Sequence, residues 1–513
     1  MVSRLAVNAE RSSPSAVSPA TLRTLAAVGA LQLAVILVLL VRTKLLAVWL
    51  GPEPIGILAV VDRLLAVFAQ TAGFSLPFAA LRFLSPLWAS DRPGHDRLYR
   101  RLRLALVVAC GCAAASGTAI AWWAPGAFGG ELDSGRALLL AAFATVPVLG
   151  FVPFLQNALA SRAAPRAAML FLLAHAVVFT VASLTGAWRW GLEGLYLAYA
   201  LAGLPLVAGF AFGLGGRRSS PGAPRAAGTD RFGLPGAVWR FGTILSALAF
   251  AAPFAALYAA YRLLASHGAE AAGWMQAAFA IGLAVRTVLG AANQVYLTPG
   301  VNREAPAAER GRWMAEYLRK LSIVVALVVP PLVLAPDLLV KLLYTDAFSP
   351  AAQFVALFVL AEVITVLGGV PQAMLVALDR LGPHVALNVV AQLLLAALAY
   401  ALVPAWGVAG VGAAMLAAAG WLLVTPALYL RSRLALSIPP ADLVLVGYVV
   451  TCVALCGALG AAGGTGARRA LAATAADLAT LGGLALLLRR EERAELRRAL
   501  SALGRALRRG PTG

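Results

Sequence analysis

Four cations stand inside apolar runs of this sequence: Arg42 and Lys44 in "LVRTKLLAVWL", Arg63 in "VVDRLLAV" and Arg286 in "IGLAVRTVLG". Charge is costly in such surroundings and persists where it is paired or used. Two acids are set against them, Asp62 beside Arg63 and Glu362 inside a further apolar run. Four cations against two acids leave a positive surplus, which favours an anion. Arginine in particular meets phosphate or carboxylate oxygens with paired hydrogen bonds. Each charge also has a plainer reading. Arg42 and Lys44 could reach the headgroups if the first helix ended near Val41, but "LLAVWL" carries the apolar run on to Gly51-Pro52. Asp62 and Arg63 could be a local ion pair, and Arg82 an anchor at the inner end of the second run.

Uncharged polar groups in the runs, Gln32, Gln70, Gln276, Asn293, Gln294, Asn388 and Gln392, are expected to line an interior surface. Asn388 and Gln392 are four apart and share one helix face. The alternative for most of them is hydrogen bonding between helices, on average about 0.6 kcal/mol in a membrane. Glu362 and Asp62 are the candidates for coupling to a proton or sodium ion, with structural pairing as the alternative. His175 reads as a hydrogen-bonded interior residue. Cys110, Cys112, Cys452 and Cys456 read as small core residues, so no metal site is expected. The only lysines, Lys44, Lys320 and Lys341, follow no phosphate-binding glycine pattern. With no catalytic constellation either, neither an enzyme nor a cofactor is expected.

The elements that must position these groups are membrane helices. The chain has 513 residues, 61% hydrophobic and 12% charged, and a crossing needs about 20 mostly apolar residues. Apolar runs give fourteen predicted spans, near 25–49, 55–83, 102–123, 136–158, 167–188, 191–214, 237–262, 271–299, 320–341, 350–378, 384–404, 407–430, 441–462 and 469–488. The first is read as a retained helix, since no small-residue cleavage site follows it. With the N-terminus inside, tails and alternate loops hold 32 of the 42 lysines and arginines and the facing loops six. The positive-inside rule then places both termini in the cytoplasm. The net charge of +20 is thereby assigned to anionic lipid headgroups and not to nucleic acid.

Three motifs recur in order. "GPEPIG" at 51–56 returns as "GAEAAG" at 268–273, "RAAP" at 162–165 as "RLGP" at 380–383, and "WGLEG" at 190–194 as "WGVAG" at 406–410. The offsets of 216 to 218 enclose six spans, an even number, so the copies are expected to be parallel repeats. The expected organisation is a disordered tail at 1–24, a six-helix bundle at 25–214, a cytoplasmic linker at 215–236 and a second bundle at 237–430. A helix pair at 431–488 and a basic amphipathic tail at 489–513 follow, the tail lying on the inner leaflet.

At these positions the sequence resembles a known family. Lys44-Leu45-Leu46-Ala47 followed by Leu50-Gly51-Pro52 and Gly56 is similar to the first hairpin of Wzx-type lipid-linked oligosaccharide flippases, of the multidrug/oligosaccharidyl-lipid/polysaccharide (MOP) exporter superfamily. Leu263-Leu264-Ala265, Gly273-Trp274 with Gln276, Tyr296-Leu297 with Pro299 and Arg303, and the Trp406-Gly407 turn before Gly410 agree. The resemblance implies an all-α polytopic fold, two six-helix bundles in a V around a central cavity, and alternating access. It implies a substrate, a polyprenyl-pyrophosphate-linked glycan, and an inner-membrane location beside a polysaccharide polymerase and glycosyltransferases. The cationic set Arg42, Lys44, Arg63 and Arg286 would hold the pyrophosphate. The alternatives are a peptidoglycan-precursor flippase or a cation-coupled multidrug exporter of the same superfamily. More distant is a major-facilitator transporter, whose loop signature is similar to "DRPGHDR" at 91–97 but requires a glycine where Leu87 stands.

Overall fold

The computed structural model describes residues 19–124, 135–162, 164–214, 236–292, 306–461, 467–494 and 501. Every regular element among them is helical: α1 Pro19–Leu50, α2 Pro52–Gly73, α3 Leu76–Ser90, α4 Arg92–Trp123, α5 Arg136–Phe143, α6 Val146–Ser161, α7 Pro165–Gly213 and α8 Gly236–Ala292. Then come α9 Ala307–Leu334, α10 Pro336–Leu343, a 3-10 turn Asp346–Ala351, α11 Ala352–Ala377, α12 Leu381–Trp406, α13 Val408–Leu434, α14 Pro440–Ala461 and α15 Ala467–Leu487. Eleven stretches among the described residues are long and apolar enough to cross a bilayer. Two of these contain a kink. α7 bends at Trp190 and Gly191, and α8 at Gly268, each where the sequence places a turn between two spans.

The repeated motifs carry the same backbone feature in both copies. Gly51 and Gly268 have φ of +79° and +81°, and Gly191 and Gly407 have +67° and +52°. Only glycine enters that region without a Cβ penalty, so the motif glycines are fixed by the turns they make. A second constraint acts at Gly56 and Gly273. A methyl on Gly56 would overlap the Ala269 carbonyl, and one on Gly273 the Pro52 carbonyl, so the two hairpins meet backbone to backbone.

Four expected boundaries move. The predicted span 55–83 is two helices, broken by left-handed Phe74 and Ser75, and the span 136–158 is broken at Ala144-Thr145. Both breaks lie four residues before a proline. α2 ends at Gly73 ahead of Pro77, and α5 at Phe143 ahead of Pro147, where the ring would strike the carbonyl four back. The third is at residue 320: α9 begins thirteen residues earlier, at Ala307, so Arg310 and Arg319 are helical and not in a loop. α4 likewise begins at Arg92, where Asp91 caps it by accepting from Gly94 N at 2.9 Å. "DRPGHDR" is thus a helix start.

Contacts divide the chain into two compact units, residues 1–45 with 68–243, and residues 46–67 with 244–513. The end of α1 and most of α2 belong to the second unit. In the first unit α3, α4, α6 and α7 pack together, with α5 against α4 and α7. In the second unit α11 is central, touching α9, α12, α13 and α14. α15 lies against α9 and α14.

Candidate functional site

In the first unit the site builds on Arg42, half-buried near the end of α1. Its Nε donates to Ser183 Oγ at 2.8 Å, and its guanidinium carbon lies 4.0 Å from the centre of the Phe179 ring. Phe179 in turn sits 4.5 Å from Tyr199, whose hydroxyl meets His175 Nε2 at 2.8 Å. Phe179 and Ser183 are four apart in the first half of α7, which places both beneath one guanidinium. Lys44 lies two residues on, half-buried. Gln32 is half-buried in α1, whereas Gln70 in α2 is exposed.

The second unit assembles the other candidates on α8. Gln276, Phe279, Gly282 and Arg286 follow one another at intervals of three and four residues, which is one helix face. Arg63 from α2 donates Nη1 to Gln276 Oε1 at 3.0 Å and to its own Ala59 carbonyl at 2.8 Å, with its guanidinium carbon 5.2 Å from the Phe279 ring centre. Gly282 lets α11 approach, since a Cβ there would lie 3.0 Å from Phe358 O and 3.3 Å from Glu362 Cγ. One turn on, Arg286 Nη1 meets Glu362 Oε2 at 3.2 Å. The partners differ in exposure: the Glu362 side chain is 3% exposed and that of Arg286 49%. The carboxylate is enclosed, and the guanidinium offers its outer edge.

Several expected residues stand elsewhere. Asp62 is exposed on α2. Asn388, buried in α12, donates to the His384 carbonyl of its own helix at 2.8 Å. Gln392 is half-buried one turn further. Arg82 lies 5.0 Å from the Phe241 ring centre. Asn293, Gln294, Tyr296, Leu297, Pro299 and Arg303 lie outside the described residues. Cys110, Cys452 and Cys456 are buried as expected, but Cys112 is exposed, because it falls on the opposite face of α4 from Cys110. Among the described residues no cluster of His, Cys, Asp and Glu could hold a metal.

Sequence reading missed an enclosed cluster of charges. Arg319 on α9 donates Nη1 to Asp442 Oδ1 at 2.9 Å, Nε and Nη2 to Glu492 at 2.6 and 2.9 Å, and Nη2 to the Leu487 carbonyl at 2.7 Å. Arg489 closes the ring, its backbone N–H donating to Glu492 at 2.7 Å. The apolar run of α9 starts only after Arg319, so composition gives no sign that this residue is helical. The cluster ties the turn after α15 to α9 and α14 within the second unit.

No protein-family model matches the chain, nor does any curated protein sequence. Solved structures do. An inward-facing multidrug resistance MATE family transporter of the MOP superfamily matches with a TM-score of 0.59 at 15% identity, over 79% of this chain and 98% of that one. A MATE protein in complex with MaL6 matches with a TM-score of 0.55 at 14% identity, over 80% and 96%. A MOP superfamily transporter from Pyrococcus furiosus, described as having a binding pocket of reverse polarity that suggests a different function, matches with 0.56 at 15%, over 80% and 95%. The chain is a polytopic all-α membrane protein with the fold of MOP superfamily transporters.

Proposed function

We propose that the protein is a flippase that carries a polyprenyl-pyrophosphate-linked oligosaccharide from the inner to the outer leaflet of the cytoplasmic membrane, for cell-surface polysaccharide biosynthesis. The fold supports a transporter, and the observation that carries the anionic substrate is the half-exposed guanidinium edge that Arg286 presents beside Glu362. Arg42, which meets Ser183 and Phe179, and Arg63, which meets Gln276 and Phe279, add embedded positive charge. Guanidinium forks match phosphate oxygens with paired hydrogen bonds. Lys44 adds a further cation near Arg42. A cation-coupled multidrug exporter of the same superfamily is the second reading, favoured by the multidrug resistance proteins among the structural neighbours. The reversed pocket polarity described for the Pyrococcus furiosus neighbour is consistent with this fold serving substrates of more than one charge sign.

Binding to the purified protein separates the two. A polyprenyl pyrophosphate, with or without glycan, should bind about ten times more tightly than the matching monophosphate, since one added charge on a bidentate acceptor is worth about 1.4 kcal/mol. Ethidium should not compete. Competition by ethidium with indifference to the pyrophosphate would replace this reading by the drug-exporter one.

The proposed orientation, with both termini in the cytoplasm, follows from the split of basic residues. Cysteines introduced by Glu131→Cys and Gly464→Cys in a cysteine-free background should label from outside intact cells. Labelling of Ser220→Cys under those conditions would invert the topology.

A further inference from the structure

One end of the first unit gathers five helix termini. α3 ends at Ser90 and α4 starts at Arg92; α6 ends at Ser161; α7 starts at Pro165 and ends at Gly213. In a chain whose helices cross a bilayer, such ends lie at the level of the lipid headgroups. Residues 91–103 hold five arginines and residues 161–166 two more, against two acids, Asp91 and Asp96. Both acids are already engaged. Asp91 caps α4 and faces Arg97 at 3.7 Å, while Asp96 meets His95 Nδ1 at 3.0 Å and Arg162 at 3.7 Å. The positive surplus is therefore not balanced within the cluster.

The arginines are also positioned in advance. Arg103 Nη1 donates to the Ala211 carbonyl at 2.9 Å, and Arg162 Nη2 to the Leu214 carbonyl at 2.8 Å, so the last turn of α7 holds one donor of each fork. Arg103 lies 4.5 Å from the centre of the Phe212 ring, and Arg92 and Arg162 lie 4.9 and 5.2 Å from that of Trp88. His95 is fully enclosed against Trp88, and its Nε2, like Arg162 Nε, finds no hydrogen-bond partner among the described residues. Forks tethered by one donor suit the oxygens of a phosphate. Phe212, 63% exposed, adds an apolar wall beside them. A soluble phosphate would gain nothing from that ring, whereas a phospholipid brings glycerol and methylenes to cover it.

We propose that this end of the first unit is a binding site for the headgroup phosphate of an anionic membrane lipid, taken by Arg92, Arg97, Arg103 and Arg162 with Trp88 and Phe212 against the lipid's apolar start. The site is separate from the cations assigned to transport and does not depend on the substrate.

The test uses the full-length protein in a neutral detergent, titrated with phosphatidylglycerol, phosphatidylethanolamine or inorganic phosphate. Bound lipid is counted by native mass spectrometry and the unfolding midpoint is followed in parallel. Phosphatidylglycerol should be retained and should raise the midpoint, and the other two should do neither. Arg92→Gln with Arg97→Gln, two side chains that hold no backbone carbonyl, should weaken retention about tenfold or more. Arg103→Lys should keep part of it, and Arg189→Gln, at the kink of α7, should leave it unchanged. Equal retention by wild type and the double variant would overturn the proposal. So would equal retention of phosphatidylethanolamine, or the same midpoint shift from inorganic phosphate alone.

Discussion

Arg286→Gln is expected to reduce transport of a lipid-linked pyrophosphate glycan about a hundredfold, the usual scale for removing one member of an enclosed charge pair at a binding surface. Two losses coincide in that variant. The substrate loses the exposed edge of the guanidinium, and Glu362, 3% exposed, loses the counter-charge 3.2 Å away. The double variant Arg286→Gln/Glu362→Gln separates them. Its unfolding midpoint should return toward wild type, because no unpaired carboxylate remains buried, while transport should stay at the level of the single variant. Arg286→Lys should retain part of the activity, since a point charge replaces a fork. Recovery of transport in the double variant would show that the pair is structural and that Arg286 takes no part in substrate binding.

The largest effect on stability is expected at Arg319. With Arg319 and Asp442 both nearly inaccessible, Arg319→Ala leaves the enclosed Asp442 carboxylate with only the half-exposed Arg489 guanidinium, 3.4 Å away, a loss on the scale of about 3 kcal/mol. The second partner gives the pH dependence. Burial pushes the Glu492 carboxyl up, but hydrogen bonds from Arg319 and from the Arg489 backbone N–H, with the charges of both, outweigh it and hold the group below its ordinary value. A carboxylate depressed in the folded state contributes stability above its unfolded value of about 4.3, and that contribution is lost as pH falls through the folded value. The unfolding midpoint should therefore be flat from about pH 8 to 5 and drop below about pH 4. In Glu492→Gln the acid step should shrink and the midpoint at neutral pH should be lower. An unchanged acid limb in that variant would mean that the cluster does not hold the turn after α15.

Much of this architecture is legible in the residues. The spans follow from apolar length, and the repeat from glycines that the turns at Gly51, Gly191, Gly268 and Gly407 require. The embedded cations are visible because their runs are otherwise almost wholly apolar. What is not legible is of two kinds. Prolines break some helices and not others. Pro77 and Pro147 follow breaks, whereas Pro205, Pro253 and Pro371 sit inside continuous helices, and only packing decides between a kink and a stop. Partners across helices are hidden as well. Arg42 over Phe179, Arg63 on Gln276 and Arg319 between Asp442 and Glu492 all join residues 123 or more apart. Helical periodicity reports a face but not what lies against it. Arg319 was overlooked for a related reason: a helix that leaves the apolar layer keeps its hydrogen bonds while its composition turns polar, so the first turns of α9 and α4 look like loop.

The mechanism proposed for the embedded cations needs no nucleotide. In an inside-negative cell, outward movement of each negative charge is favourable by about 2.3 kcal/mol per 100 mV, so a carrier that neutralises the pyrophosphate only in part gains direction from the membrane potential. Proton entry at Glu362 is proposed to reset the carrier, and Glu362→Gln is expected to slow the return and not the outward step. The most direct measurement is flipping of a fluorescent lipid-linked pyrophosphate glycan in liposomes under a potassium diffusion potential. The proposal predicts a wild-type rate that rises as the side holding the substrate becomes more negative, and a variant Arg42→Gln/Arg63→Gln/Arg286→Gln that stays at background at every potential. A wild-type rate indifferent to voltage, together with a triple variant that flips as fast as wild type, would contradict it and leave those cations as structural groups.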